Sequence, residues 1–222
     1  LRHLFDNRVM LCMTSNYHPD LLWKDGLQRA KFLPAIELIK SNLDIINVDA
    51  GVDYRRRALE SAKVYHHPID GNTIKAIMAE FDRIAEVEDE SQPLDIEGRN
   101  IRYLRRAGGI VWFDFKTLCG GPRSYTDYVD LARRFHTIVL TDVPEMGPRQ
   151  AAEARRFTWL IDVLYDARVK MIMSAAVAAD RLYTQGALAH EFSRTVSRIE
   201  EMQTVDYLRQ PRVEQHGFRE QN

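Results

Sequence analysis

Apolar positions along the chain fall into two patterns. Residues 8–15 (RVMLCMTS), 44–49 (DIINVD), 109–115 (GIVWFDF), 136–143 (HTIVLTDV) and 169–174 (VKMIMS) are short, nearly unbroken apolar runs, the pattern of strands buried on both faces. Between them the period changes to helical. Ile74, Ile77, Met78, Phe81, Ile84 and Ala85 form one stripe over residues 73–86. Ser124 caps a helix carrying Tyr125, Tyr128, Val129, Ala132 and Phe135. Phe157, Leu160, Ile161 and Leu164 are in register within a helix over residues 149–167, and helical pattern runs on from about residue 187 to 203 and ends near Pro211. Pro34 suits a first helical turn, followed by Ile36 and Ile39. Ala107-Gly108 reads as the turn of a hairpin, and residues 86–92 (EVEDESQ) before Pro93 as an exposed acidic connection and a boundary. Strand and helix alternating in this way predict an α/β fold with a mostly parallel, helix-covered sheet.

Composition narrows the partners. Among 222 residues, 31 Lys and Arg stand against 32 Asp and Glu, a formal charge of −1, which argues for a protein partner and against nucleic acid or a polybasic membrane contact. Cys12 and Cys119 are too few for a disulfide framework or a four-cysteine zinc site and fit a reducing cytoplasm. No apolar run approaches the roughly 18 residues of a membrane span.

Several chemistries lack their residues. A phosphate loop needs G-x-x-x-x-G-K-[ST], whose backbone N–H groups and lysine meet the phosphates, and no Gly-Lys pair occurs; Gly120-Gly121-Pro122 has no lysine beside it. G-x-G-x-x-G, H-E-x-x-H and G-x-S-x-G are absent, and the adjacent His66 and His67 cannot share one face of a strand or helix. No metal site is expected. Asp49, Asp114 and Asp142 each end an apolar run. An Asp there can hold a Mg²⁺-bound water, but Asp114 is followed by Phe115 rather than a water-polarising Glu, and all three read as turn or cap residues.

Two residues carry a more specific possibility. Asn16, at the tip of the Thr14-Ser15-Asn16 run, stands at the sheet edge where α/β ligands bind and can orient a water and hydrogen-bond a terminal phosphate; on the tripeptide alone a loop-capping Asn is the better reading. Arg29, in GLQR, lies at a helix end from which an arginine can reach a neighbouring subunit's nucleotide, an effect of roughly 10³–10⁵ in rate; the alternative is a surface arginine in a salt bridge, as most arginines are. The cluster Arg99, Arg102, Arg105 and Arg106 reads as a solvated hairpin, with an acidic partner surface as the alternative.

Taken together, TSNYHPDLLWKDGLQRAKFLPAIELI, VDAGVDYR, GIVWFDFKTLC, the SYTDY helix start, TIVLTDVP, ARRFTWLIDVLYDARVKMIMSA and EFSRTVSRIEEMQTVDYL resemble the ZapE-like AAA+ ATPases, bacterial cell-division ATPases related to mitochondrial inner-membrane quality-control ATPases. The resemblance implies that Asn16 is the sensor-1 residue, that Arg29 is a trans-acting arginine finger, and that Arg156 in ARRF senses nucleotide; the role of Arg55 in DYR stays open. The family's phosphate loop and acidic strand lie upstream of TSN and are not in this chain, which begins Leu1-Arg2-His3. The expectation is therefore the C-terminal part of such an ATPase. Residues 1–62 would be the end of the ATPase core, 63–98 a helical lid or linker, and 99–222 a C-terminal α/β region. The intact protein would be a cytoplasmic homo-oligomer using ATP and Mg²⁺ to remodel a protein partner, plausibly a tubulin-like division-ring polymer, with possible peripheral membrane association. This chain alone would bind neither ATP nor Mg²⁺ tightly and would be inactive. The alternative is an ATP-independent protein-binding module built on residues 99–222.

Overall fold

The computed structural model describes residues 1–7, 9–15, 18–22, 29–46, 62–85 and 87–213. Its contacts divide the chain into two compact units, Leu1–Val52 and Asp53–Asn222.

In the first unit, α1 spans Arg2–Asp6, a short 3₁₀ turn spans Pro19–Leu21, and α2 spans Arg29–Asn42 around the buried Ile36. Pro34 sits inside α2 rather than in its first turn, because Arg29 to Leu33 are mostly strong helix formers and extend the helix N-terminally. Of the strand expected over residues 8–15, the described residues 9–15 form none. Residues 9–15 have no regular structure, and Met10 is 95% exposed. Residues 44–46 are likewise not in a strand, and 47–49 lie outside the described residues. An apolar run becomes a strand only where a neighbouring strand pairs with its backbone, and no described residue pairs with either run.

The second unit carries the predicted sheet. Its strands are β1 (Tyr65–His66), β4 (Arg105–Ala107), β5 (Ile110–Asp114), β6 (Thr137–Val143) and β7 (Lys170–Ala175), in the spatial order β1-β7-β6-β5-β4. The first four in that order are parallel, and β4 joins β5 as an antiparallel hairpin. Gly108 turns that hairpin at φ +55°, and a Cβ on Gly109 would collide with the His136 ring, so the two glycines serve different needs. A separate two-stranded ribbon pairs β2 (Leu94–Ile96) with β3 (Arg99–Ile101).

Helix α3 is Thr73–Ala85, α4 Tyr125–Arg134, α5 Ala151–Asp166, α6 Ala189–Met202 and α7 Val205–Arg209. Alternate residues of β5 divide between two cores. Val111 and Phe113 join Tyr128, Leu131, Phe157, Leu160 and Phe192 from α4, α5 and α6. Ile110 and Trp112 join Ile77, Phe81 and Ile84 of α3 with Leu208 of α7. The sheet is covered on both faces, as the unbroken runs require. Ile74 and Met78 of the α3 stripe remain exposed, at 38% and 43%. None of the helices among the described residues is long and apolar enough to cross a membrane.

Candidate functional site

Three parallel strands end on the same edge of the sheet, where α/β proteins hold ligands. After β5 the chain makes a π-helical turn, Lys116–Gly120, and continues through Arg123 to α4. After β6 it enters α5. After β7 it runs through Ala187 and Leu188 to α6. Arg123, the α5 face of Ala151, Ala152, Arg155, Arg156 and Trp159, and Ala187-Leu188 line an open cleft of about 360 Å³.

The π turn organises this cleft. Asp114 at the tip of β5 accepts hydrogen bonds from the backbone N–H and the hydroxyl of Thr117, at 2.7 and 2.9 Å, so it caps the turn as its sequence context implied. Three consecutive carbonyls of the turn are then satisfied by side chains. Arg123 Nε donates to Thr117 O at 3.2 Å, Tyr128 Oη to Leu118 O at 2.8 Å, and Arg156 Nε to Cys119 O at 2.6 Å. Wide turns leave such carbonyls without helical partners, and donors from elsewhere must supply them. Cys119 is fully buried, and that burial pushes its thiol up to about 12. Among the described residues no carboxylate forms an ion pair with Arg123, Arg155 or Arg156, and no group of three or more His, Cys, Asp or Glu is placed to hold a metal. Asp114 acts as a turn cap here.

The other arginines differ. Arg105 pairs with Asp82 at 2.8 Å and Asp89 at 2.7 Å, Arg106 with Glu90 at 2.9 Å, and Arg99 with the buried Asp127, whose other oxygen accepts the Ser124 N–H at the start of α4. The acidic segment after α3 thus neutralises much of the basic cluster within the same unit.

Arg156, expected to touch nucleotide, lies in the cleft. Arg29 lies in the other unit as the first residue of α2, where its Nη2 donates to Asp20 O at 2.7 Å. Lys40 from the far end of α2 meets the Asp20 carboxylate at 2.9 Å and holds that carboxyl below its ordinary range. Arg29 Nε is shielded from solvent and has no hydrogen-bond partner among the described residues. Asn16 and Arg55 fall outside the described residues. Sequence reasoning missed Arg123, Arg155 and Trp159. A signal existed for two of them: Ala152, Arg155, Arg156 and Trp159 are spaced i, i+3, i+4, i+7, one face of a helix.

Fold and cleft define an α/β protein with an open cleft at the carboxyl edge of a parallel sheet, lined by three arginines, Trp159 and small apolar residues. The chain belongs to the AFG1-like ATPase family, whose model matches residues 1–211. It is 40% identical to Cell division protein ZapE of Escherichia coli (strain K12) over 210 residues, 94% of this chain and 56% of that protein. It is 33% identical to Lactation elevated protein 1 homolog B of Danio rerio over 240 residues, 92% of this chain and 48% of that protein. The chain thus spans about half the length of these relatives. No solved structure gives a significant match.

Proposed function

We propose that this chain is the C-terminal portion of an ATP-hydrolysing AAA+ protein that remodels a protein partner. The family match across residues 1–211 carries the reading. In the longer protein, upstream residues supply the phosphate and Mg²⁺ contacts, Asn16 senses the terminal phosphate, and Arg29 completes the site of the next subunit in a homo-oligomer. The division-ring polymer is the candidate partner, because a relative is named a cell division protein. Arg29→Ala in the longer, phosphate-loop-containing protein is expected to lower hydrolysis by about 10³-fold or more while oligomer assembly persists. Unchanged hydrolysis with normal assembly removes the finger assignment.

A second reading, an ATP-independent binding module, takes wider bounds than the expected residues 99–222, because β1 pairs with β7 and α3 shares a core with β5; it draws support from one observation, that Asp53–Asn222 is compact, with its own two cores. Comparing partner capture by that unit and by the longer protein, with and without ATP, discriminates. Capture by the unit alone favours the module; capture confined to the ATP-bound longer protein favours the motor.

A further inference from the structure

We propose, resting on Arg29 as the trans-acting finger, that Asp20 and Lys40 are positioning residues for it. Their ion pair fixes the main-chain carbonyl that holds the Arg29 guanidinium. Neither side chain has a part in the function proposed above, and neither needs to touch nucleotide.

Asp20 bonds through its N–H, its carboxylate and its carbonyl, all within the first unit. The N–H donates to His18 Nδ1 at 3.3 Å, the carboxylate accepts from Lys40 Nζ at 2.9 Å, and the carbonyl accepts from Arg29 Nη2 at 2.7 Å. Arg29 is the first residue of α2 and Lys40 lies in its last turn, so Asp20 ties both ends of the helix to the Pro19–Leu21 turn. Pro19 opens that turn with its φ already set. An arginine side chain left unanchored spreads over many rotamers, and a finger acts only from those that meet the transferred phosphoryl group. A carbonyl anchors the guanidinium only if the carbonyl is itself held, and the contact from Lys40 is where that hold can be broken without removing the finger. The hydrogen bond from Lys40 keeps the Asp20 carboxyl below its ordinary range, and the same bond raises the Lys40 ammonium, so the pair stays charged at neutral pH. Both side chains are partly exposed and water screens them, so the clamp is worth a few-fold in rate rather than the whole contribution of the finger.

Steady-state and single-turnover ATP hydrolysis by the longer, phosphate-loop-containing protein tests this, with oligomer assembly of each variant checked by sedimentation. Lys40→Met and Asp20→Asn are each expected to lower kcat about two- to fivefold while KM for ATP stays put, because the bound nucleotide keeps its own contacts. Lys40→Arg should keep most of the rate. Asp20→Lys sets two cations side by side and should cost more, and adding Lys40→Asp to it should restore most of kcat; this reversed pair also answers for any single variant that fails to assemble. In an Arg29→Ala background Lys40→Met should add nothing, because the clamp acts through the arginine. An undiminished or raised kcat in Lys40→Met overturns the proposal. So does a loss by the same factor with and without Arg29, which marks a merely structural pair. Failure of the finger reading looks different: there Arg29→Ala itself leaves hydrolysis unchanged, whatever Lys40 does, and the clamp falls with it.

Discussion

Arg156 on α5 donates through Nε to the main-chain carbonyl of Cys119, 37 residues earlier, at 2.6 Å. One charge-assisted bond ties the helix after β6 to the π turn after β5 and sets one wall of the cleft. It also helps shut in the Cys119 thiol, which is fully buried and held at about 12, whereas Cys12 in the first unit is exposed. A native chain is therefore expected to give one fast thiol with an aromatic disulfide reagent at mildly alkaline pH, and two after denaturation. Arg156→Ala removes a bond worth about 1.5–3 kcal/mol and should raise the Cys119 reaction rate by roughly tenfold or more. If that rate does not move, the bond does not hold the turn closed.

The sheet was legible because β5, β6 and β7 are long enough to show unbroken apolar runs with helical stripes between them. Runs of similar composition form no strand over the described residues 9–15 and 44–46 for a physical reason: composition reports what a segment can bury, while strand formation depends on which backbone is available to pair. Conversely β1 has two residues, and only its ladder to Met173 and Ser174 makes it a strand. The site divides the same way. Arg155, Arg156 and Trp159 share a helix face that spacing alone reveals. Arg123 reaches the cleft through a π turn and a tertiary bond to Thr117, and nothing in the local pattern announces either.

Arg105 lies 4.3 Å from the ring centre of Phe81 while it pairs with Asp82 and Asp89. Asp89 is 43% exposed, so solvent screens its pair and Asp89→Asn should cost at most about 1 kcal/mol. Arg105→Ala also strips the guanidinium and its stem from Phe81 and should cost more, about 1–2 kcal/mol. Chemical denaturation at low and high salt separates the two: salt shrinks the Asp89 effect and leaves most of the Arg105 effect. Equal costs for both substitutions contradict the contact with Phe81.

Lys170 at the start of β7 is buried and donates from Nζ to the carbonyls of Tyr207 and Gln210, both at 2.8 Å, with its ammonium 4.5 Å from the Tyr207 ring centre. These are acceptors at the end of α7, where a cation suits the helix dipole. Lys170→Met keeps the length of the side chain but leaves the carbonyls short of a donor, and should cost about 2–3 kcal/mol. Hydrogen exchange over residues 205–213 should quicken more than in the sheet. A loss under about 0.5 kcal/mol shows that burying the ammonium cancels what its bonds contribute.

His66 supplies an acid-sensitive element. The ring is 6% exposed and its Nε2 has no hydrogen-bond partner among the described residues; burial lowers its pKa, against a smaller opposing influence from the Lys63 backbone. The folded chain therefore resists protonating a group that the unfolded chain protonates near its ordinary value of about 6.5. Above that pH both states hold the neutral ring, and His66 makes no pH-dependent contribution. As pH falls through about 6.5, the unfolded state binds the proton first and stability drops, until the pH passes below the lowered folded value. By about pH 5.5 the loss can reach about 1 kcal/mol. Asp70 and Asp89, whose carboxyls are lowered by Thr73 and Arg105, lose their contributions only at more acidic pH, so the windows separate. The difference in unfolding free energy between the native chain and His66→Gln, measured at about pH 7.5 and about pH 5.5, isolates the effect. Wild type should lose more than the variant over that interval. Parallel losses in the two proteins mean that His66 titrates alike folded and unfolded.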